Sequence, residues 1–186
     1  MDNPTKWPAA AKGKAQKMSD AARRTQRHYA DGHERPLGGY LGAIGVYMSA
    51  VAGASLMARR LGRRPPPAIS PWDVGLMALA TTKYSRLLAK DPVTSPLRAP
   101  FTRFEGTSAP AELSEEVRGS AGRHAAGELL TCPFCIGQWV ATALAAGLVL
   151  APDLTRLVAA TGSALFGADV LQHAYAWLQQ ASEQDS

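Results

Sequence analysis

Cysteine is scarce, with two residues in a chain of 186. A tetrahedral zinc site takes four ligands, so Cys132 and Cys135 supply half of one, and no third cysteine exists to extend the set. Strand-like alternation of apolar and polar residues is also missing. That removes the strand and βαβ setting a thioredoxin-type CxxC needs. No short apolar region stands near the N-terminus, where 36 polar and basic residues come first; a cleaved secretion signal is therefore not expected, and the apolar segments stay in the mature chain. Charge itself is missing from two long tracts, and this absence decides the class.

The first tract is 37–58, LGGYLGAIGVYMSAVAGASLMA, in which two tyrosines are the only ionisable groups. A hydrocarbon core of about 30 Å takes about 20 helical residues. A soluble chain of this size would have to hide such a stretch at the centre of a core it can scarcely build. The second tract runs from Cys132 to about Ala181 and is interrupted at APDLTR (151–156), where Pro152 and Asp153 supply a turn and a helix start; it reads as a helical hairpin. Tyr40, Trp72, Trp139, Tyr175 and Trp177 stand at the ends of apolar segments, where aromatic rings prefer the headgroup level. A mean hydropathy near zero averages these tracts with the charged remainder and hides them.

The 20 Lys and Arg and 15 Asp and Glu concentrate in 1–36, 59–64 and 83–128. Residues 1–36 read as a basic tail without an apolar stripe, suited to resting on anionic lipid; nucleic acid is not expected as a partner. After the first span, RRLGRRPPP (59–67) forms an Arg/Pro linker (59–69), since a triple proline cannot continue a helix. Ser70 as N-cap and Pro71 at the first helical position open a helix over 70–90. Asp73, Lys83 and Arg86 shorten its apolar core, so it either crosses the bilayer or lies at its surface. Four prolines in the first half of 91–131 forbid a long helix there, and 111–130 has helical composition. The fold class that follows is all-α, a polytopic membrane bundle of three to four spans with a Pro-rich polar loop and a basic N-terminal tail. With four spans, the excess of Lys and Arg in the tail and polar loop puts both in the cytoplasm, with the protein in the cell membrane. The cluster Arg59, Arg60, Arg63 and Arg64 argues the other way, unless the 70–90 helix only lies at the surface and three spans remain.

Four groups of residues are candidates for function. Cys132 and Cys135 in CPFC are redox or metal candidates; zinc would need His124 and a carboxylate such as Glu128 or Glu105 beside them. The simpler reading makes CPFC the opening turn of the 132–150 helix, with Thr131 or Cys132 at the cap, Pro133 where no amide donor is needed, and Trp139 as an interface anchor. Asp91, Arg98, Arg103 and Glu105, with Arg86 nearby, read as a charge network locking the loop to the helix ends. Asp169 and His173, four apart, share a helix face; an ionisable pair in a span suggests function by default, but a meeting with Lys83 or Arg86 accounts for it structurally. Gly45, Ser49, Gly53 and Gly137 suit close helix packing within the chain or against a second copy.

At KYSRLLAKDPVTSPLRAPFTRFEG and GELLTCPFCIGQWVA the sequence resembles a bacterial family of small integral membrane proteins known only as domain of unknown function 1360. The matching residues are Arg86, Leu87, Asp91, Pro96, Leu97, Arg98, Pro100, Phe101, Glu105, Cys132, Pro133, Cys135, Gly137 and Trp139, within roughly 72–178. The resemblance implies membrane residence and a compact core over 70–181, and no activity. The expectation is a non-enzymatic scaffold or accessory subunit, with homo-oligomers or another membrane protein as partner and no resident cofactor. The alternative is a membrane thiol oxidoreductase or metal-binding protein working through CPFC.

Overall fold

The computed structural model describes residues 37–119 and 122–184, with isolated helical positions between 13 and 29. Expectations for the basic tail, its lipid contact included, fall almost wholly outside the described residues. The elements are α1 (Leu37–Arg60), α2 (Pro71–Lys90), a 3-10 turn (Pro92–Thr94), α3 (Ser95–Arg98), β1 (Thr102–Ala109), β2 (Glu112–Val117), α4 (Gly122–Thr131), α5 (Pro133–Leu150) and α6 (Pro152–Gln184). The architecture is mostly helical, and α1, α5 and α6 are each long and apolar enough to cross a membrane.

Side-chain pairs fix the directions of the helices. Tyr47 on α1 bonds Gln138 and Thr142 on α5, while Val51 and Ala58 face Ala145 and Val149 further on, so α1 and α5 run parallel. The two pairs Asp73 with Arg156 and Lys83 with Asp169 advance together along α2 and α6, so these are parallel as well. Gly137 lies against Thr81 and Ser85, and α5 is therefore antiparallel to α2. One end of the bundle thus gathers the start of α1, the end of α2, the hairpin, α4 and the CPFC turn. We call this the cap end. The other end holds the α1–α2 linker and the α5–α6 turn.

Helix α2 is the centre of the bundle. Ala80 and Ala159 are buried with Leu144, and Leu76, Met77, Tyr84 and Val140 close around them. Small residues let the backbones approach: a Cβ added to Gly162 would lie 2.7 Å from the Tyr84 ring and 3.0 Å from the Ala80 Cβ. Ser163 donates to the Leu76 carbonyl at 2.8 Å and Tyr84 to the Val158 carbonyl at 2.8 Å, hydrogen bonds of the kind that join helices where apolar burial gives no preference. Asp73 and Lys83 of α2 point to α6, while its outer face shows Trp72, Val74 and Leu79. At 20 residues, α2 is about 30 Å long, the thickness of a hydrocarbon core.

The polar loop holds structure that its composition conceals. β1 and β2 form an antiparallel hairpin from Thr102↔Val117 to Ala109↔Glu112, with irregularities at Phe104/Gly106 and Thr107/Ala109. The helical composition of 111–130 is realised only from Gly122 onward; Glu112–Val117 is strand.

Candidate functional site

The CPFC turn lines a cavity of about 680 Å3 between α1, α4 and α5. Its position follows from the start of α5. Cys132 is the N-cap, with its Sγ accepting from the Cys135 amide at 3.3 Å, and Pro133 occupies the first turn. The proline gives up a donor that would have had no helical acceptor there. This arrangement aims both sulfurs at one another, 2.7 Å apart, as free thiols. Phe134 between them is 93% exposed.

The opposite wall comes from α1. The Tyr40 hydroxyl donates to Glu128 on α4, and Gln138 Nε2 donates to the Tyr47 hydroxyl at 2.8 Å. The Tyr47 ring meets Trp139 edge to face, centroids 5.2 Å apart; the expected interface anchor is thus half-buried against α1. His124 Nε2 sits 3.5 Å from Glu128 Oε1 one helical turn away.

The chemistry available to this arrangement is limited by its charges. Nucleophilic thiols sit beside Lys, Arg, protonated His or a metal, which stabilise the thiolate. Among the described residues no Lys, Arg or His lines the cavity, and the carboxylate on its wall is that of Glu128. Among the described residues no three or more His, Cys, Asp or Glu side chains converge to hold a metal ion. His124, Glu128, Cys132 and Cys135 are neighbours without forming such a set.

The charged residues around the loop are arranged differently from the expected network. Arg98 is wholly buried, and its carboxylate partner is Glu115, on β2: Nε donates to Oε2 at 2.8 Å and Nη2 to Oε1 at 3.0 Å. The rest of the guanidinium donates to the carbonyls of Leu88 (2.8 Å) and Asp91 (3.1 Å) and to Thr94 Oγ1 (2.7 Å). Leu88 lies in the last turn of α2, whose carbonyls have no helical donor, and Asp91 just past it, so one side chain ties α2, α3 and the hairpin together. The Asp91 carboxylate instead caps the Val93 amide at 2.8 Å. Glu105 accepts from Ser114 at 3.0 Å, and Arg103 is exposed opposite Glu116. Arg86 pairs with Glu112. Glu112 and Glu115 carried no sequence signal, because acids in a polar loop look alike until a register selects one for burial.

Inside the bundle, Lys83 Nζ donates to Asp169 Oδ2 at 2.6 Å, while His173 is exposed one turn further on. A second interhelical pair carries no sequence signal: Arg156 Nε and Nη2 donate to the two Asp73 oxygens at 3.0 and 3.2 Å. Of the small residues, Gly137 packs on α2, whereas Gly45 and Gly53 face open space and Ser49 bonds the Gly45 carbonyl of its own helix. Those three positions therefore make no close packing contact among the described residues.

No curated protein and no solved structure matches this chain. A family model does, over residues 76–175, which takes in most of α2, the cap, α5 and most of α6 and leaves α1 outside. With just over half of its 186 residues matched, the chain belongs to the family described as protein of unknown function (DUF1360).

Proposed function

We propose that the protein is a four-crossing membrane protein, its cap end in the cytoplasm, serving as a non-enzymatic scaffold or accessory subunit. The carrying observation is how its ionisable groups are used. Asp73, Lys83, Arg98, Glu115, Arg156 and Asp169 are all joined in pairs between elements, and no buried side-chain polar atom among the described residues lacks a partner. Catalytic sites ordinarily hold a titratable group in an unsatisfied environment. Here the charges tie helices and cap into one rigid piece, and the thiols face an apolar cavity with an anion beside it. The pairing of Asp73 and Lys83 with α6 and the apolar outer face of α2 support the fourth crossing, and the Lys and Arg of the tail and cap support the orientation.

A second reading rests on the 2.7 Å separation of the two sulfurs at a helix start. Such a dithiol can transfer two electrons and two protons to a substrate disulfide, becoming a disulfide itself. Maleimide-PEG labelling of the full-length protein in growing cells separates the two readings. Under the scaffold reading both thiols remain reduced, and Cys132→Ser/Cys135→Ser leaves the detergent-extracted protein at the same size, with a lower amount. A Cys135→Ser variant that accumulates a mixed disulfide through Cys132 overturns it in favour of thiol exchange.

A further inference from the structure

The end of the bundle opposite the cap carries charges without partners. Arg59, Arg60, Arg63 and Arg64 are exposed, and among the described residues their side chains make no hydrogen bond or ion pair, in contrast to the paired ionic residues of the interior. Residues 59–73 and 150–156 hold five arginines against two aspartates, and both aspartates are engaged by Arg156. An excess of three positive charges is left facing outward at the end of three apolar helices.

Local geometry holds these arginines in place. Gly62 has φ +66, its amide donates to the Arg59 carbonyl at 3.1 Å, and the Arg63 amide donates to the Ala58 carbonyl at 2.8 Å. This pair of bonds is the Schellman closure of α1, with glycine at the left-handed position. It returns Arg63 over the last turn of the helix, and Pro65–Pro67 then stiffen the chain. Beneath Arg59 and Arg63 lies an apolar groove of about 350 Å3 between α1 and α5, floored by Val51, Ala54, Ala145 and Ala146. From Val51 to Arg59 it runs about 12 Å along α1, close to half the thickness of a hydrocarbon core. A more polar cavity of about 510 Å3 adjoins it, sharing Arg63 and adding Arg64 and Arg156.

We propose that this groove is a binding site for one anionic glycerophospholipid, an acyl chain lying between α1 and α5 and the phosphate held by Arg59 and Arg63. Charge complementarity selects the occupant. A guanidinium holds phosphate oxygens with two parallel N–H donors, whereas a zwitterionic headgroup brings a cation into an already positive site. The small side chains of the groove leave room for a chain of methylenes without moving either helix. The site goes beyond the scaffold reading and requires only that the helices lie in lipid.

The test is native mass spectrometry of the full-length protein in detergent, titrated with phosphatidylglycerol or with phosphatidylcholine. Phosphatidylglycerol is expected to be retained as a one-to-one adduct well above phosphatidylcholine. Each basic side chain near an anionic lipid is worth roughly a fivefold factor, so Arg59→Ala/Arg63→Ala should weaken the adduct about thirtyfold. Those two side chains have no partner to lose, and the variant is expected to fold; Ala146→Phe, which fills the groove, gives a second measure and should also lower retention. Equal retention of the two lipids, or an adduct unchanged in the arginine variant, overturns the proposal. So does displacement by millimolar inorganic phosphate with Ala146→Phe binding normally, since the site would then read phosphate alone.

Discussion

Replacing Glu115 by alanine removes the carboxylate from a guanidinium with no exposed surface; the Glu115 side chain is itself 6% exposed. Both hydrogen bonds to Arg98 disappear, and three remain, to Leu88, Asp91 and Thr94. Those acceptors carry no net charge, so a buried cation is left uncompensated, which costs about 3–5 kcal/mol. Thr102 Oγ1, 3.2 Å from Glu115 Oε2, loses a contact as well. The hairpin is the element expected to come loose, and amide exchange read by mass spectrometry over 102–117 reports its opening directly. A loss of about 3–5 kcal/mol raises exchange there roughly a hundred- to several-thousandfold, while the bundle helices keep their protection. Glu112→Ala is the control. Its partner Arg86 is 55% exposed, and such pairs are worth about 0–1 kcal/mol, roughly fivefold at most. Arg98→Met/Glu115→Leu removes both charges and should protect the hairpin better than Glu115→Ala alone. If Glu115→Ala raises exchange no more than Glu112→Ala, the buried pair is not what holds the cap on the bundle.

Gly162→Leu places a side chain where even a Cβ meets the Tyr84 ring at 2.7 Å; separating α2 from α6 should cost about 1–3 kcal/mol, seen as a lower melting temperature in detergent. Lys83→Met leaves Asp169 without its 2.6 Å partner, and in a helix that lies in lipid an unpaired carboxylate is costly, so the variant should melt at lower temperature in detergent, with Lys83→Met/Asp169→Leu recovering most of the loss in the same assay. Gly45→Leu and Gly53→Leu meet open space within the chain; melting of the monomer should not change, while cross-linked dimers in bilayers should disappear if this face joins two copies.

The spans were legible because a bilayer demands one property, some twenty residues without charge, and 37–58 and 132–150 carry it with no tertiary information. Helix starts were equally plain: Ser70 accepts from the Asp73 amide at 3.0 Å, and of the two cap candidates, Thr131 and Cys132, it is Cys132 that caps α5. The hairpin was not legible. Hairpin turns announce themselves by Asn-Gly or Asp-Gly, whereas here Pro110 is followed by Ala111 at φ 61, a conformation alanine rarely adopts. Its strands also hold few large apolar residues in no clean alternation: β1 is mostly exposed, and in β2 Val117 turns in against Gly127 of α4 while Glu115 turns in toward Arg98. Choosing Glu115 over Asp91 or Glu105 as the partner of Arg98 takes the register, which these polar residues do not write. Asp73 and Arg156 were visible only as interruptions of apolar segments, since nothing local pairs residues 83 positions apart.

For α2, distance along the chain governs the order of assembly. Its aspartate and lysine meet their counterions 83 and 86 residues later, after the cap and α5 have been synthesised. Until α6 emerges, Lys83, which lies toward the middle of α2, resists transfer into lipid by up to roughly 2.5–3.5 kcal/mol, while Asp73 in the first turn costs less because it sits near the interface. If α2 crosses as proposed above, its crossing is therefore completed by the last helix, and a ribosome stalled before Pro152 would hold a chain whose α2 still waits at the membrane surface.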